Sequence, residues 1–248
     1  MFKKKQKLDK ESLKNGVGLV TFTDPTSTIA EQFRTVRTNI QFSSVDKALK
    51  SIVFTSSAPS EGKSTVSNNV AVTWADQGKR VLIVDADMRR PTVHRTFSVS
   101  NTVGLSNLLA ETGSLENAIH ETIINNLSVM PSGPIPPNPS ELLGSTKMAA
   151  LLEQLTDHYD LVIIDAPPVN TVTDAQVLAA RADGTILVVP QGIAEKAGVA
   201  HAKQLLDTVH ANVLGVIMNR VTKEKSQGYY GGYYGGYYGG YYGAEKEK

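Results

Sequence analysis

One segment of the chain has the residue types and spacing of a phosphate-binding loop. Residues 57–65 read SAPSEGKST, with Ser57 in the place of the usual first glycine of such loops. In these loops backbone N–H groups and a helix start bind phosphates, a lysine reaches the β- and γ-phosphates, and a hydroxyl binds Mg²⁺. The alternative is a helix start that carries a chance GKS triplet. The residues predicted to bind a nucleotide are Ser60, Glu61, Gly62, Lys63, Ser64 and Thr65.

Acidic residues follow two apolar runs that have the length of strands. VLIVDAD ends a strand at Asp85 and continues to Asp87, and LVIID ends another strand at Asp165. Alternate residues of an extended chain point the same way, so Asp85 and Asp87 are expected to face the phosphates together. The alternative is that one of them caps a helix or pairs with Arg89 or Arg90. Carboxylates hold Mg²⁺ beside nucleotide phosphates, often through water, so the loop and the acids together predict a nucleoside triphosphatase or a phosphoryl transferase.

Alternating strands and helices are predicted to position these groups. Short β-branched runs predict strands at 51–55, 81–85, 127–130, 161–165, 185–189 and 213–218. Helices are predicted between them at 63–77, 145–157, 173–182 and 195–210. Strands that are apolar on both faces and joined by helices predict an α/β fold, a three-layer αβα arrangement with a doubly wound, mostly parallel sheet. Sites in such sheets gather at the carboxyl ends of the strands.

A further helix is predicted before the first strand, at residues 26–43. Its apolar residues fall on one stripe at helical spacing: Ile29, Phe33, Val36 and Ile40. Glu31, Arg34 and Arg37 lie off this stripe and form a separate charged face. That face is either a contact surface or a ladder of i,i+3 ion pairs, each of which stabilises a helix by only about 0.2–0.5 kcal/mol.

The two ends of the chain differ in composition from the middle. Residues 1–24 contain six lysines and are predicted to be a basic, flexible arm, with a weak anchor for anionic lipid as the alternative. Residues 223–248 include the repeat GYYGGYYGGYYGGYYG and hold eight of the nine tyrosines. Glycine and tyrosine alone cannot form a packed core, so this tail is expected to be disordered. Residues 25–222 are predicted to be one folded domain.

Composition excludes several classes of protein. The 248 residues carry a net charge of +1, so the field of the whole molecule does not favour nucleic acid as a partner. The chain has no cysteine, which excludes disulfide scaffolds, thiolate metal sites and cysteine nucleophiles. No apolar run approaches the roughly 18 residues of a spanning helix, and a signal peptide is not apparent. We therefore expect a cytoplasmic protein that reaches a membrane only through a partner or surface charge.

These motifs resemble two branches of phosphate-loop proteins. The loop, both acidic strands and the closing segment VIMNR at 216–220 resemble the MinD/ParA branch, although that branch has a second lysine where this chain has Ala58. The charged helix, the SAPSEGKST loop, PPNPSELL at 136–143 and the tyrosine-rich tail resemble the bacterial tyrosine kinases of capsule and exopolysaccharide operons, the CpsD/CapB type. This second resemblance runs from about residue 20 to the tail, with Ser60 where the family often has glycine.

The resemblance to the bacterial tyrosine kinases implies catalytic roles. The chain would be an autokinase that uses ATP and Mg²⁺. Lys63 and Ser64 would bind phosphates and Mg²⁺, and Asp87 and Asp165 would organise the metal ion. Asp85 would receive the tyrosine hydroxyl, although the resemblance leaves the division of roles between Asp85 and Asp87 open. Asn219 would contribute to nucleotide binding.

The same resemblance implies acceptors and an assembly. Glu31, Arg34 and Arg37 would lie at the subunit interface of a ring-like homo-oligomer. The tail residues up to Tyr242 could span about 70 Å when extended, so phosphorylation is expected in trans, on the tail tyrosines of a neighbouring copy. Those tyrosines are Tyr229, Tyr230, Tyr233, Tyr234, Tyr237, Tyr238, Tyr241 and Tyr242.

The implied partners place such a kinase at the inner face of the plasma membrane. They are a transmembrane activator of the polysaccharide co-polymerase type and a cognate tyrosine phosphatase. The implied role is the regulation of capsular polysaccharide or exopolysaccharide synthesis and export. Two alternatives stay open: a MinD/ParA-like ATPase switch without kinase activity, and a scaffold whose Gly-Tyr tail acts by stacking and self-association.

Overall fold

The computed structural model of the chain describes residues 10–44 and 48–222. The strands are β1 (Ser51–Ser56), β2 (Val81–Asp85), β3 (His120–Glu121), β4 (Leu127–Met130), β5 (Leu161–Asp165), β6 (Gly184–Pro190) and β7 (Val213–Asn219). The helices are α1 (Lys10–Asn15), α2 (Val20–Thr23), α3 (Thr28–Phe42), α4 (Lys63–Ala75), α5 (Val93–Thr96), α6 (Leu105–Leu109), α7 (Leu115–Ala118), α8 (Pro139–Gly144), α9 (Thr146–His158), α10 (Asp174–Ala179) and α11 (Lys196–Thr208). None of the helices in these two ranges has both the length and the apolar composition that a bilayer-spanning segment requires.

One seven-stranded sheet forms the middle layer. The strands lie in the order β3-β4-β2-β5-β1-β6-β7, and neighbouring strands are parallel except β3 with β4. Leu82 and Val84 of β2 pack into a cluster with α8 to α11, whereas Val81 and Ile83 pack into a cluster with α3 and α4. Helices therefore cover both faces, and the prediction of a three-layer α/β fold with a mostly parallel sheet is confirmed.

The strand order brings three carboxyl ends of strands together. β5 lies between β2 and β1, with Asp165 opposite Asp85 on one side and opposite Phe54 on the other. The chain leaves β1 and turns through residues 57–62 into α4, so the phosphate loop emerges at the same edge as the two acidic residues. Nearly every residue of α4 is buried, which holds the helix that follows the loop firmly against the sheet.

The six predicted strands and the main helices are present, with ends that differ by a few residues. β1, β6 and β7 each extend slightly beyond the predicted range, and the helix predicted at 63–77 ends at Ala75. The short elements α1, α2, α5, α6, α7 and β3 were not predicted. A helix of four to six residues makes fewer than two turns, which is too short to show a periodic apolar pattern.

The N-terminal segment differs most from its prediction. Residues 10–24 were expected to belong to a flexible arm, but they form α1 and α2 and pack on the domain. The N–H and the hydroxyl of Thr21 donate to Oδ1 of Asn69 at 3.1 and 2.9 Å, and Asn69 Nδ2 donates to the carbonyl of Gly18 at 2.9 Å. Asn69 lies in α4, so the segment is attached to the helix of the phosphate loop. The folded part of the chain therefore begins before residue 25, where the boundary between the arm and the domain was predicted.

The predicted helix at 26–43 is α3, and its burial is uneven. It begins after Ser27, whose hydroxyl accepts the N–H of Ala30 at 3.2 Å. Ile40 is buried and Phe33 and Val36 pack against the core, but the side chain of Ile29 is exposed. The stripe therefore contacts the domain mainly along its C-terminal half.

Candidate active site

The phosphate loop, residues 57–62, is shaped by two residues in the left-handed backbone region. Ser60 has φ of 63° and Gly62 has φ of 94°. A Cβ atom on residue 62 would lie 2.1 Å from Nδ2 of Asn219, so only glycine fits there. Ser60 adopts a conformation that glycine reaches at lower cost, which gives a physical reason for the glycine that loops of this kind often carry at its position.

Two side chains at the end of β7 hold the outer side of the loop. Asn219 Nδ2 donates to the carbonyl of Glu61 and Arg220 Nη2 donates to the carbonyl of Ser60, both at 3.0 Å. The carbonyl of one residue and the N–H of the next point in opposite directions across a trans peptide. The N–H groups of Glu61 and Gly62 therefore point away from Asn219 and Arg220. Asn219, predicted to bind nucleotide, here orients the loop that would bind it.

Lys63 is buried among the acidic residues instead of projecting into solvent. Its Nζ lies 2.9 Å from Oδ2 of Asp87 and 3.5 Å from Oδ1 of Asp165. Burial alone would lower the pKa of Lys63, but the charges of Asp165 and Asp87 raise it above its usual value. Lys63 is therefore charged and partly neutralises the acidic cluster before any nucleotide binds.

Asp85 and Asp165 lie side by side at the ends of β2 and β5, and both are fully buried. Burial raises the pKa of Asp165, although the charge of Lys63 opposes this effect. Burial and the charges of Asp165 and Asp87 raise the pKa of Asp85 well above its usual range. Within the described residues, Oδ1 of Asp85 has no hydrogen-bond donor, and Oδ1 of Asp165 lies 3.5 Å from Nζ of Lys63. Buried carboxylates whose negative charge is only partly balanced, next to a phosphate loop, are suited to a cation.

Asp85 and Asp87 do not face the same way, contrary to the prediction. β2 ends at Asp85, so the alternation of an extended strand does not continue to Asp87. Asp87 lines the cavity above the loop, whereas Oδ2 of Asp85 accepts the N–H groups of Thr92 and Val93 at 3.0 Å each. The alternative of a helix cap therefore describes Asp85, which fixes the start of α5. Asp85 is fully buried and does not line the cavity, so its predicted role in receiving the tyrosine hydroxyl stays a prediction.

A cavity of about 370 Å³ opens above the phosphate loop. One part of it is polar and contains the loop, the start of α4 and Asp87. The remaining lining combines the apolar residues Leu13, Val17, Pro167, Pro168 and Val172 with the arginines Arg89, Arg90 and Arg220. The prediction missed Leu13 and Val17 because they lie in the segment expected to be a flexible arm, where their apolar character was the available signal. The cavity combines a charged site with an apolar wall on which a flat ring could pack.

Arg89 forms a contact that the sequence pattern did not indicate. Its Nε and Nη2 donate to the two carboxylate oxygens of Asp174 at 3.0 and 3.2 Å, and the hydroxyl of Ser140 also donates to Asp174. Asp174 is fully buried at the start of α10. Arg89 therefore ties the segment after β2 to α8 and α10 instead of pairing with Asp85 or Asp87.

The predicted metal ligands Ser64, Asp87 and Asp165 come together around Lys63. Lys63 Nζ lies 3.3 Å from the Ser64 hydroxyl, in addition to its contacts with the two carboxylates. Across residues 10–44 and 48–222, no cluster of three or more His, Cys, Asp or Glu side chains is arranged to hold a metal by itself. Mg²⁺ usually takes one or two carboxylates and completes its shell with phosphate and water. The donor set therefore fits Mg²⁺ that binds together with a nucleotide.

The predicted interface residues lie on α3. Arg34 contacts Glu31 and donates from Nη2 to the carbonyl of Pro25 at 2.7 Å. Arg37 donates from Nη1 to the carbonyl of Thr73 at 2.8 Å, which joins α3 to the end of α4. The i,i+3 pair that was the alternative is thus observed, and Glu31 and Arg34 remain accessible on the surface. The eight predicted phosphoacceptor tyrosines lie outside the described residues.

The buried carboxyl of Asp85 gives a prediction about stability. Its pKa is higher in the folded chain than in the unfolded chain, where a carboxyl has a pKa of about 4. Its contribution to stability is therefore complete below that value and is lost as the pH rises through the folded pKa. We expect Asp85→Asn to raise the free energy of unfolding of the ligand-free protein at pH 7 by about 1–3 kcal/mol, because a neutral amide does not carry the cost of ionising a buried carboxyl beside Asp165 and Asp87.

Urea unfolding of both proteins between pH 4 and pH 8 measures this effect. The advantage of the variant should be smallest at pH 4 and should grow towards neutral pH. An advantage that is constant over this range would show that the charge of Asp85 is not its source. The exposed substitution Asp157→Asn serves as the control and should change stability little at any pH.

Comparison with known proteins identifies relatives that cover most of the chain. The family model described as AAA domain matches residues 49–217. Tyrosine-protein kinase YwqD of Bacillus subtilis (strain 168) is 48% identical over 215 residues, which are 86% of this chain and 91% of that protein. The crystal structure of the chimerical protein CapA2B2 matches with a TM-score of 0.80 and 46% identity, over 83% of this chain and 90% of that chain. The cell division ATPase MinD of Pyrococcus furiosus shares the fold, with a TM-score of 0.60 and 24% identity over 72% and 78% of the two chains.

Proposed function

This chain belongs to the bacterial tyrosine-protein kinases of the capsule-synthesis type, and we propose that it transfers the γ-phosphate of ATP to tyrosines of its own C-terminal tail. The activity is that of a protein-tyrosine kinase. The observation that carries the proposal is the arrangement of Lys63 between Asp87 and Asp165, below a cavity with an apolar wall. The tail holds eight of the nine tyrosines in the chain, so it is the most concentrated source of acceptors.

The phosphate loop and the start of α4 bind the triphosphate in this proposal. The N–H groups that Asn219 and Arg220 turn inward, with the first N–H groups of α4, would bind the phosphate oxygens, because helix starts and successive N–H groups attract anions. Lys63 would exchange part of its pairing with Asp87 and Asp165 for the phosphates. Ser64 and Asp165 would hold Mg²⁺, with Asp87 bound to it through water, and Mg²⁺ when bound would supply positive charge against the phosphates.

Asp87 is the carboxylate best placed to receive the acceptor. A free tyrosine hydroxyl has a pKa near 10, so its attack needs a group that accepts the proton. Asp87 lines the cavity, whereas Asp85 is covered by the start of α5. The tyrosine oxygen would form a bond to the γ-phosphorus while the bond from that phosphorus to the bridging oxygen breaks. The proton passes to Asp87 and ADP leaves. Asp85 positions the start of α5 by accepting the N–H groups of Thr92 and Val93.

The further parts of the proposal concern assembly and place in the cell. We propose a ring-like homo-oligomer at the inner face of the plasma membrane, bound there through a transmembrane activator of the polysaccharide co-polymerase type. A cognate tyrosine phosphatase would remove the phosphate from its tyrosines. Its phosphorylation would regulate the synthesis and export of capsular polysaccharide or exopolysaccharide. These proposals are supported by the similarity to tyrosine-protein kinase YwqD and to the chimerical protein CapA2B2.

The accessible pair on α3 gives a prediction about assembly. Arg34→Ala should lower the molecular mass measured by light scattering and should lower autophosphorylation, because a guanidinium at a contact between copies would be lost. Arg37→Ala is a poor test, because it also removes the contact of Arg37 with the carbonyl of Thr73 in its own chain. Lys203→Ala, on the exposed face of α11, is the control. An unchanged mass in Arg34→Ala would mean that Glu31 and Arg34 form an ion pair within one helix and do not join copies of the chain.

Incubation with ATP and Mg²⁺ separates the proposed kinase from the alternatives. The kinase forms ADP and phosphotyrosine in matching amounts, detected by chromatography and an anti-phosphotyrosine blot. An ATPase switch of the MinD/ParA type forms ADP and inorganic phosphate without phosphotyrosine. A scaffold forms none of these products.

A further inference from the structure

Glu61 is a buried carboxylate within the phosphate loop, and its partners all lie at the start of that loop. It is only 1% exposed. Its Oε2 accepts the N–H of Ser57 at 2.8 Å and the N–H of Ala58 at 3.0 Å. The hydroxyl of Ser57 lies 2.9 and 3.0 Å from its two oxygens and donates to this carboxylate. Three donors thus satisfy a charge that would otherwise stand unpaired beside the phosphate site.

The backbone of the same residue is held from the opposite side. The carbonyl of Glu61 accepts from Asn219, and the preceding carbonyl of Ser60 accepts from Arg220. The side chain of Glu61 therefore closes the loop on itself, while the end of β7 fixes the outward direction of its carbonyls. Together these contacts define the loop conformation in the absence of any phosphate.

We infer that Glu61 is a positioning residue, which clamps the loop through Ser57 in a conformation ready for phosphate. This inference rests on the proposed function and deepens it. The usual first glycine of such loops is replaced by Ser57, and the Ser57 hydroxyl is one of the three donors to the clamp. Ser57 and Glu61 therefore act together, and the Ser57 hydroxyl helps to hold the loop in this conformation.

The clamp also sets where the phosphate site begins. The N–H groups of Ser57 and Ala58 are directed at Glu61, so they are not available to an anion. The phosphates would be bound by N–H groups from residue 61 onward, together with the start of α4. The carboxylate of Glu61 does not contact the nucleotide in this arrangement. It acts by raising the fraction of molecules whose loop already has the conformation that binds phosphate.

Calorimetric titration with ADP and Mg²⁺ tests the clamp without requiring turnover. A loop that is shaped for binding in only a tenth of the molecules weakens the apparent affinity about 10-fold, because affinity scales with the competent fraction. We expect Glu61→Gln to raise the Kd for ADP by about this factor and to raise the KM for ATP similarly, with a smaller change in kcat. Ser57→Ala should raise the Kd about 3-fold by removing one donor. Glu153→Gln, on the exposed face of α9, is the matched control.

The double variant separates a clamp from a general loss of structure. Ser57→Ala should add almost nothing in the Glu61→Gln background, because both changes break one interaction. Equal affinities of wild type, Glu61→Gln and Ser57→Ala for ADP would overturn the inference, as would fully independent effects of the two changes. If Glu61→Gln does not fold, Ser57→Ala still decides, since it keeps the carboxylate. Failure of the wild type to bind ADP would contradict the proposed function itself.

Discussion

Lys63→Met is expected to lower the rate of phosphotyrosine formation by about 100- to 1000-fold. Lys63 is the cation at the phosphate loop, and removing one electrostatic group that stabilises developing charge in a transition state typically has an effect of this size. Single-turnover kinetics with labelled ATP measures the rate. Lys203→Met, in which an exposed lysine of α11 is changed in the same way, should leave the rate near that of the wild type.

The same substitution is also expected to lower stability, which the sequence alone did not indicate. A lysine of a phosphate loop is expected to face solvent or ligand, but Lys63 lies between Asp87 and Asp165 and is buried. Removing one partner of a buried ion pair typically destabilises a protein by about 3–5 kcal/mol. Circular dichroism and urea unfolding should therefore accompany the kinetics. A folded Lys63→Met protein that phosphorylates at the wild-type rate would contradict the assignment of the site.

Tail tyrosines are expected to be phosphorylated by a different copy of the chain. A Lys63→Met chain with an intact tail should be labelled when it is mixed with an active chain that lacks residues 228–248. Twenty residues separate Thr222 from Tyr242, and 20 residues span at most about 70 Å, so the length of the tail permits transfer between copies. Labelling should be nearly absent in either protein alone and should rise with the concentration of the truncated chain.

A second inactive acceptor makes the mixing experiment independent of the stability of Lys63→Met. Asp165→Asn removes a proposed metal ligand and keeps the ammonium of Lys63, so it should be labelled in the same way. If neither acceptor is labelled at any concentration of active chain, transfer occurs within one copy. The arrangement in trans would then be wrong, while the kinase site itself would stand.

The fold and the centre of the site could be predicted because their signals are local. The apolar runs of β1, β2 and β5 are long enough to identify, and Asp85 and Asp165 mark the strand ends. Parallel strands align their carboxyl ends, so the phosphate loop and these acidic residues meet at one edge of the sheet. The structure brings Lys63, Asp87 and Asp165 together at this edge.

The rest of the site depends on tertiary contacts that a sequence pattern does not carry. The N-terminal segment packs through the hydrogen bonds between Thr21 and Asn69, which join positions 48 residues apart. Asp85 turns from the cavity because the chain after β2 folds back and presents the N–H groups of α5. Glu61 was predicted to bind nucleotide, but its side chain closes the loop, since the partner that satisfies it is four residues away in a turn. The alternation of apolar residues that identifies strands does not predict how the chain turns between them.

The central claim is that this site transfers phosphate from ATP to the tyrosines of the tail. Mass spectrometry of the wild-type chain after incubation with ATP and Mg²⁺ tests it most directly, with Lys63→Met treated in parallel. Phosphate is expected on tyrosines between Tyr229 and Tyr242 of the wild type and on none of those of Lys63→Met. Consumption of ATP by the wild type with every tail tyrosine unmodified would contradict it.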